Sequence, residues 1–163
     1  MHPAPEITSD IHKALAASLF NMTWTYIDKP DRTVDETDTM IHAAHASRYH
    51  WSQVESHQPY HMARGEWQIS RVYAILPRPE GALAHAQRCL AICEGNGIGD
   101  FDIAYAHEAM ARAYAAAGNV ELFAKHYQLA GAFGEAIADD EDRELLNSDL
   151  VTGPWYGMDL KAV

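Results

Sequence analysis

A chain of 163 residues is long enough for one well-buried core and short for two. With 48% hydrophobic and 21% charged residues it has the composition of a soluble globular protein, and its net charge of −11 at pH 7 argues against nucleic acid or an anionic membrane as partner. No apolar run approaches the ~20 residues of a membrane span, and the start from Met1 to Glu6 lacks the basic-then-apolar order of a signal peptide. Cys89 and Cys93 lie one turn apart in one helical segment, which is poor disulfide geometry. Together these features read as a cytoplasmic protein.

Ala-rich stretches with few β-branched runs favour helix over strand. The pattern predicts helices over 7–28, 34–54, 59–76, 80–95, 101–117, 119–138 and 140–151, with a tail from 152 to 163. Pro30, Pro59, Pro77, Pro79 and Pro154 all fall between periodic segments. Thr33 and Glu36 have the spacing of a capping box, Pro79 suits a first helical turn, and Asp100 and Asn119 suit N-caps. Gly118 stands where a helix end needs a left-handed residue, while Gly95, Gly97 and Gly99 read as a helix stop and link. Short turns imply antiparallel neighbours.

The chain also repeats itself. Residues 63–94 laid on 104–135, an offset of 41, give nine identities in thirty-two positions. Among them are Arg71 with Arg112, Tyr73 with Tyr114, Glu80 with Glu121 and His85 with His126. A fixed period spanning two helical segments marks stacked supersecondary units sharing one elongated core.

The residues within that period resemble the tetratricopeptide repeat. With Tyr73 and Tyr114 at its tyrosine, Ile69 and Met110 fall at its leucine, and Ser70 and Ala111 at its small-residue position. Ala82 matches a later alanine, and Tyr127 and Ala130 match aromatic and small positions of the second unit. Glu66 and His107 replace the tryptophan of that family, Pro77 stands opposite Gly118, and the period is 41 rather than ~34 residues. The resemblance implies one all-α domain over 1–163, a right-handed α-α superhelix of about seven helices. Its pairs would be 7–54 (degenerate), 59–95 and 101–138, closed by a capping helix over 140–151.

In such arrays the first helix of each pair lines a concave groove. That places Arg64, Trp67, Gln68, Arg71, Tyr105, Glu108 and Arg112 on an open face, suited to a carboxylate or an acidic peptide. The competing reading is a solvated face on which Arg112 pairs with Glu108 one turn away. The resulting expectation is a non-enzymatic protein that binds a peptide, a protein segment or its own copy, without a cofactor.

The ten histidines offer a rival. His42 and His45 project from one helix face, and with His61, Glu66 or His107 as a third ligand they could hold zinc or another divalent metal, giving a small-molecule or hydrolase site. A further reading makes the chain an oligomer subunit that docks through an exposed tail of Trp155 and Tyr156. Cys89 and Cys93 read as core packing with Ala82 and Ala86.

Overall fold

The computed structural model describes residues 6–163. Seven α-helices follow in order: α1 Ser9–Ile27, α2 Val34–Ser52, α3 Pro59–Ile75, α4 Pro79–Gly95, α5 Asp100–Ala116, α6 Val120–Glu135 and α7 Asp140–Thr152. Leu160–Ala162 adds one 3-10 turn, and no strand occurs among the described residues. Among the described residues no helix is long and apolar enough to cross a membrane.

The sequence signals set the helix ends. Thr33 Oγ1 accepts from Glu36 N while Glu36 Oε2 accepts from Thr33 N, so the capping box satisfies two donors that the first turn leaves free. Pro79 opens α4 and Asn119 caps α6 through Leu122 N. Gly118 has φ 73°, and Gly97, which follows α4, has φ 63°. Both positions need the left-handed conformation that costs glycine nothing. One cap is shifted: Gly99 precedes α5, and the Asp100 carboxylate instead accepts from Ala138 N.

Consecutive helices pair antiparallel. In α3 and α4, Ser70 Oγ donates to the Ala82 carbonyl and Glu66 meets His85. In α1 and α2, Ser47 Oγ donates to the Ala16 carbonyl and His12 meets His50. Small residues allow close approach: Ala63, Ala74, Ala82, Ala86, Ala106, Ala109 and Ala113 are all buried. Cys89 and Cys93 are buried on the same side of α4, packed with Ala63, Ile103 and Ala106, as core residues.

The offset of 41 reappears in the element bounds. From α3 to α5 both ends move by 41, and from α4 to α6 the start does, with α6 one residue shorter at its end. Arg78 N bonds the Tyr73 carbonyl at the end of α3, and Asn119 N bonds the Tyr114 carbonyl at the end of α5. His85 stacks on Tyr73 with planes 23° apart, and His126 stacks on Tyr114 at the same 23°. Both tyrosines are half-buried rather than enclosed.

The helices α1, α3, α5 and α7 contact one another in series, while α2, α4 and α6 pack against that row. The two central members of the row are covered on most sides. On α5, Ile103 to Ala113 are buried without a break.

The tail does not project. Trp155 is buried against Phe123 and Tyr127, and its indole N–H donates to the Leu150 carbonyl at 3.0 Å. Tyr156 Oη donates to the Ala74 carbonyl on α3. The exposed Trp155 expected from sequence is therefore corrected, while Tyr156 stays exposed: an indole of this size gains ~1.5–3 kcal/mol by leaving water, and the chain itself provides the pocket.

Candidate functional site

A cavity of about 710 Å³ opens along the row of odd-numbered helices. Helix α1 and its cap contribute Phe20, Trp24 and Asp28, spaced four residues apart on one face. Helices α3 and α5 contribute Ala63, Arg64, Trp67, Phe101, Asp102 and Tyr105, and α7 contributes Asp142, Leu145 and Asp149. Cys89 completes the lining from α4.

Four rings run in series along the wall. Trp24 and Trp67 lie 5.6 Å apart between centroids, Trp67 meets Tyr105 edge-on at 5.3 Å, and Tyr105 meets Phe101 at 4.6 Å. Hydrogen bonds hold two of them. Trp67 Nε1 donates to Glu108 Oε2 at 3.0 Å, and Tyr105 Oη donates to Asp149 Oδ2 at 2.7 Å. Burial and the Asp149 bond push the Tyr105 phenol far above its ordinary pKa, so it stays a donor at any physiological pH.

The arginines expected to face a ligand find their carboxylates inside the chain. Arg71 Nη1 donates to Glu108 Oε1 at 2.9 Å and its Nη2 lies 3.8 Å from Asp149 Oδ1. Arg112 Nε donates to the same Glu108 oxygen, and its Nη2 donates to the Asp149 carbonyl at 3.0 Å. The Arg112 guanidinium also sits 4.5 Å from the Trp155 ring centroid. Arg71, Arg112, Glu108 and Gln68 are all buried. Gln68 serves as a brace to α1, donating from Nε2 to the Phe20 carbonyl. These four side chains are thus buried and not on an open face: α1 meets Gln68, while α7 and the tail cover the side of α5 that the helical period alone leaves free. The Arg112–Glu108 pair is present, but enclosed and not solvated.

Desolvation pushes the Glu108 carboxyl up, but Arg112 and Arg71, with hydrogen bonds from Arg112 and Trp67, outweigh it and hold the group below the ordinary carboxylate range. Two guanidinium and two carboxylate charges therefore close on one another as Arg71, Arg112, Glu108 and Asp149. Arg71 Nε and Arg112 Nη1 remain buried without an acceptor among the described residues.

Of the expected set, Arg64, Trp67 and Tyr105 do line the cavity. Arg64 is committed: its Nε and Nη2 grip Asp102 at 2.8 and 3.0 Å, and its guanidinium covers the Tyr60 ring at 4.7 Å. Two lining carboxylates, Asp28 and Asp142, form no ion pair among the described residues. The groove wall is therefore aromatic with an excess of negative charge. Sequence reasoning missed Phe20, Trp24 and Asp28 and also Asp142, Leu145 and Asp149. Each trio does share one helix face, and that spacing was the available signal.

The histidines divide differently from the proposed ligand set. His45 Nε2 lies 3.0 Å from Tyr73 Oη, and its ring meets His85 edge-on. His61 instead stacks on Trp51 at 4.2 Å and accepts from Gln58 N, while His42 is exposed. Helix α3 carries His61 at its far end from the His45–Tyr73 contact, so His42, His45 and His61 do not converge. Among the described residues no group of three His, Cys, Asp or Glu side chains is placed to hold a metal ion. His85 Nδ1 meets Glu66 Oε2 at 2.6 Å, and Arg48 Nε donates to Glu66 Oε1 at 3.0 Å. The equivalent contact one unit later is His107 to His126, Nδ1 to Nδ1, at 3.0 Å.

No family model matches the chain, and no curated protein or solved structure matches it.

Proposed function

We propose that this chain is a non-enzymatic helical-repeat protein that binds a segment of a protein partner in the groove between α1, α3, α5 and α7. The observation that carries the reading is the aromatic wall of Trp24, Trp67, Tyr105 and Phe101 around a cavity of about 710 Å³. Rings of this kind, two of them fixed by hydrogen bonds, bury large area at low entropic cost when a partner docks. The 41-residue step shared by helix bounds, turn bonds and stacked Tyr–His pairs supports a tetratricopeptide-like array, in which the first helix of each pair presents the binding face. The Tyr73–His85 stack recurs as Tyr114–His126, which suits repeat packing better than catalysis. A cytoplasmic setting fits two buried free cysteines.

Selection of a displayed random-peptide library on the intact protein tests this reading. Enriched peptides are expected to bind the wild-type chain and to lose binding to Leu145→Trp, because Leu145 is half exposed on the rim and a larger side chain fills the groove. Enriched peptides that bind both proteins equally would contradict it.

A further inference from the structure

We propose that the groove selects a cation, namely the basic side chain of a lysine or arginine carried by the bound segment. The inference rests on the groove reading above and adds the chemistry of the occupant, which is opposite in sign to the one the arginines suggest from sequence alone.

Charge placement carries it. Every arginine that the sequence places near the groove already faces a carboxylate: Arg64 meets Asp102, Arg112 meets Glu108, and Arg71 meets Glu108 and Asp149. An incoming carboxylate would have to break one of these contacts and would face Asp28 and Asp142 in the same wall. A cation meets the reverse situation. Asp28 and Asp142 form no ion pair among the described residues, and both line the cavity. The four rings supply the second half of the recognition, since an ammonium or guanidinium over an aromatic face is attracted by the ring's quadrupole while its aliphatic stem packs on apolar surface. Arg64 shows the same chemistry on this surface, with its guanidinium over Tyr60 and its fork on Asp102. The chain's net charge of −11 adds long-range attraction for a basic segment.

A basic segment is the committed occupant rather than a free amine, because a lone ammonium would leave most of the aromatic wall wet. Flanking residues of a peptide would cover it.

The experiment measures binding of three short peptide libraries to the intact protein by fluorescence anisotropy. Their central residue is lysine, norleucine or glutamate, and their flanks are randomised identically. The lysine library is expected to bind on the order of tenfold more tightly than the norleucine library, as one cation–π and charge contact provides, and the glutamate library most weakly. Added salt should weaken the lysine library most. In Asp28→Asn/Asp142→Asn the lysine advantage should vanish while the norleucine affinity stays, with an unchanged circular dichroism spectrum. Leu145→Lys gives an independent check, since a cation placed on the rim should cost the lysine library its advantage. Equal binding of lysine and norleucine libraries, abolished by Leu145→Trp, would overturn the cation and keep the groove. Tightest binding by the glutamate library would overturn the cation outright. Binding by none of the three would overturn both readings. Free lysine amide binding as tightly as the lysine library would overturn the peptide as occupant and make the groove a small-molecule site.

Discussion

Trp67 and Glu108 occupy the same position in consecutive repeat units and hydrogen-bond to each other, indole N–H to Oε2 at 3.0 Å. The step continues once more. Asp149 lies a further 41 residues on, and it faces Arg71 and accepts from Tyr105. Arg71 donates to Glu108 and Arg112 donates to the Asp149 carbonyl, each over a separation of 37 residues. Helix α7 therefore stands one repeat step beyond α5, next in the row after α1, α3 and α5. The units hold together through a ladder of buried polar contacts between equivalent positions, with the groove rings hung on it.

That ladder makes Glu108 the most sensitive polar position. Glu108→Gln leaves Arg71 and Arg112 buried with an uncompensated charge, and breaking such a cluster costs ~3–5 kcal/mol. Arg71→Ala and Arg112→Ala are expected to destabilise by several kcal/mol as well, as Glu108 is fully enclosed. Urea denaturation checks all three. Changes below ~1 kcal/mol would mean that water reaches the cluster.

The Tyr–His stacks permit a paired test on glycines. A Cβ on Gly81 would lie 2.9 Å from the Tyr73 ring, whereas one on Gly131 meets nothing within 4 Å. Gly81→Ala should therefore destabilise by ~1–3 kcal/mol through overpacking. Gly131→Ala should stabilise by ~0.5–1 kcal/mol through helix propensity. Tyr114→Ala, at a half-buried site, is expected to cost ~2 kcal/mol, below the range for enclosed aromatics. Thermal and urea melts of the three variants decide whether the repeat register is right.

Acid should weaken the fold in two stages. Burial, with His107 and Lys125 nearby, lowers the His126 pKa to about 4, and burial lowers His107 and His45 in the same direction. Between ~6.5 and the lowered value the unfolded chain binds protons that the folded chain does not, so stability falls as pH falls through that window. Glu66 and Glu108 are held below the ordinary carboxylate range despite burial, Glu66 by His85 and Arg48 and Glu108 by Arg112 and Arg71. Their contribution is present above ~4.3 and is lost below it as each is protonated. The midpoint of thermal unfolding should drop steadily from about pH 6.5 to about pH 4 and faster beneath that. His126→Gln should flatten the first stage. A midpoint constant across both stages would contradict the assignment.

Trp155→Ala tests the folded-back tail. Removing a buried indole that carries the Arg112 guanidinium and fills the space beside Phe123 and Tyr127 should cost ~3–5 kcal/mol. Light scattering of the variant should show the same mass as the wild type, since the ring packs within its own chain. A change in mass without loss of stability would revive the docking role.

Much of this fold was legible because local rules set it. Thr33 with Glu36, Pro79, Asn119 and Gly118 each mark a helix end whose physics is confined to a few residues. The groove was legible only in part. Trp67 and Tyr105 followed from the repeat register, but the side of α5 that Arg112 occupies is closed by Asp149 and Trp155, from a segment with no identity to its repeat equivalents. Helical periodicity says which residues share a face and not which neighbour covers it. The arginines stand out in sequence, whereas the carboxylates that engage Arg64 and Arg71 lie 38 and 37 residues away, and only the Arg112–Glu108 pair is local enough to be read from helical spacing.

The most direct test of the groove follows the tryptophan indole resonances by proton–nitrogen NMR during titration with the lysine-centred library. Trp24 and Trp67 line the cavity, whereas Trp155 is buried against Phe123 and Tyr127, and Trp51 stacks on His61 in an adjoining pocket that shares only Phe20 and Arg64 with the cavity. The Trp24 and Trp67 signals should shift together and saturate, with Trp155 unmoved. Saturable shifts confined to Trp51 or Trp155, or none at any indole, would contradict the groove as the binding site.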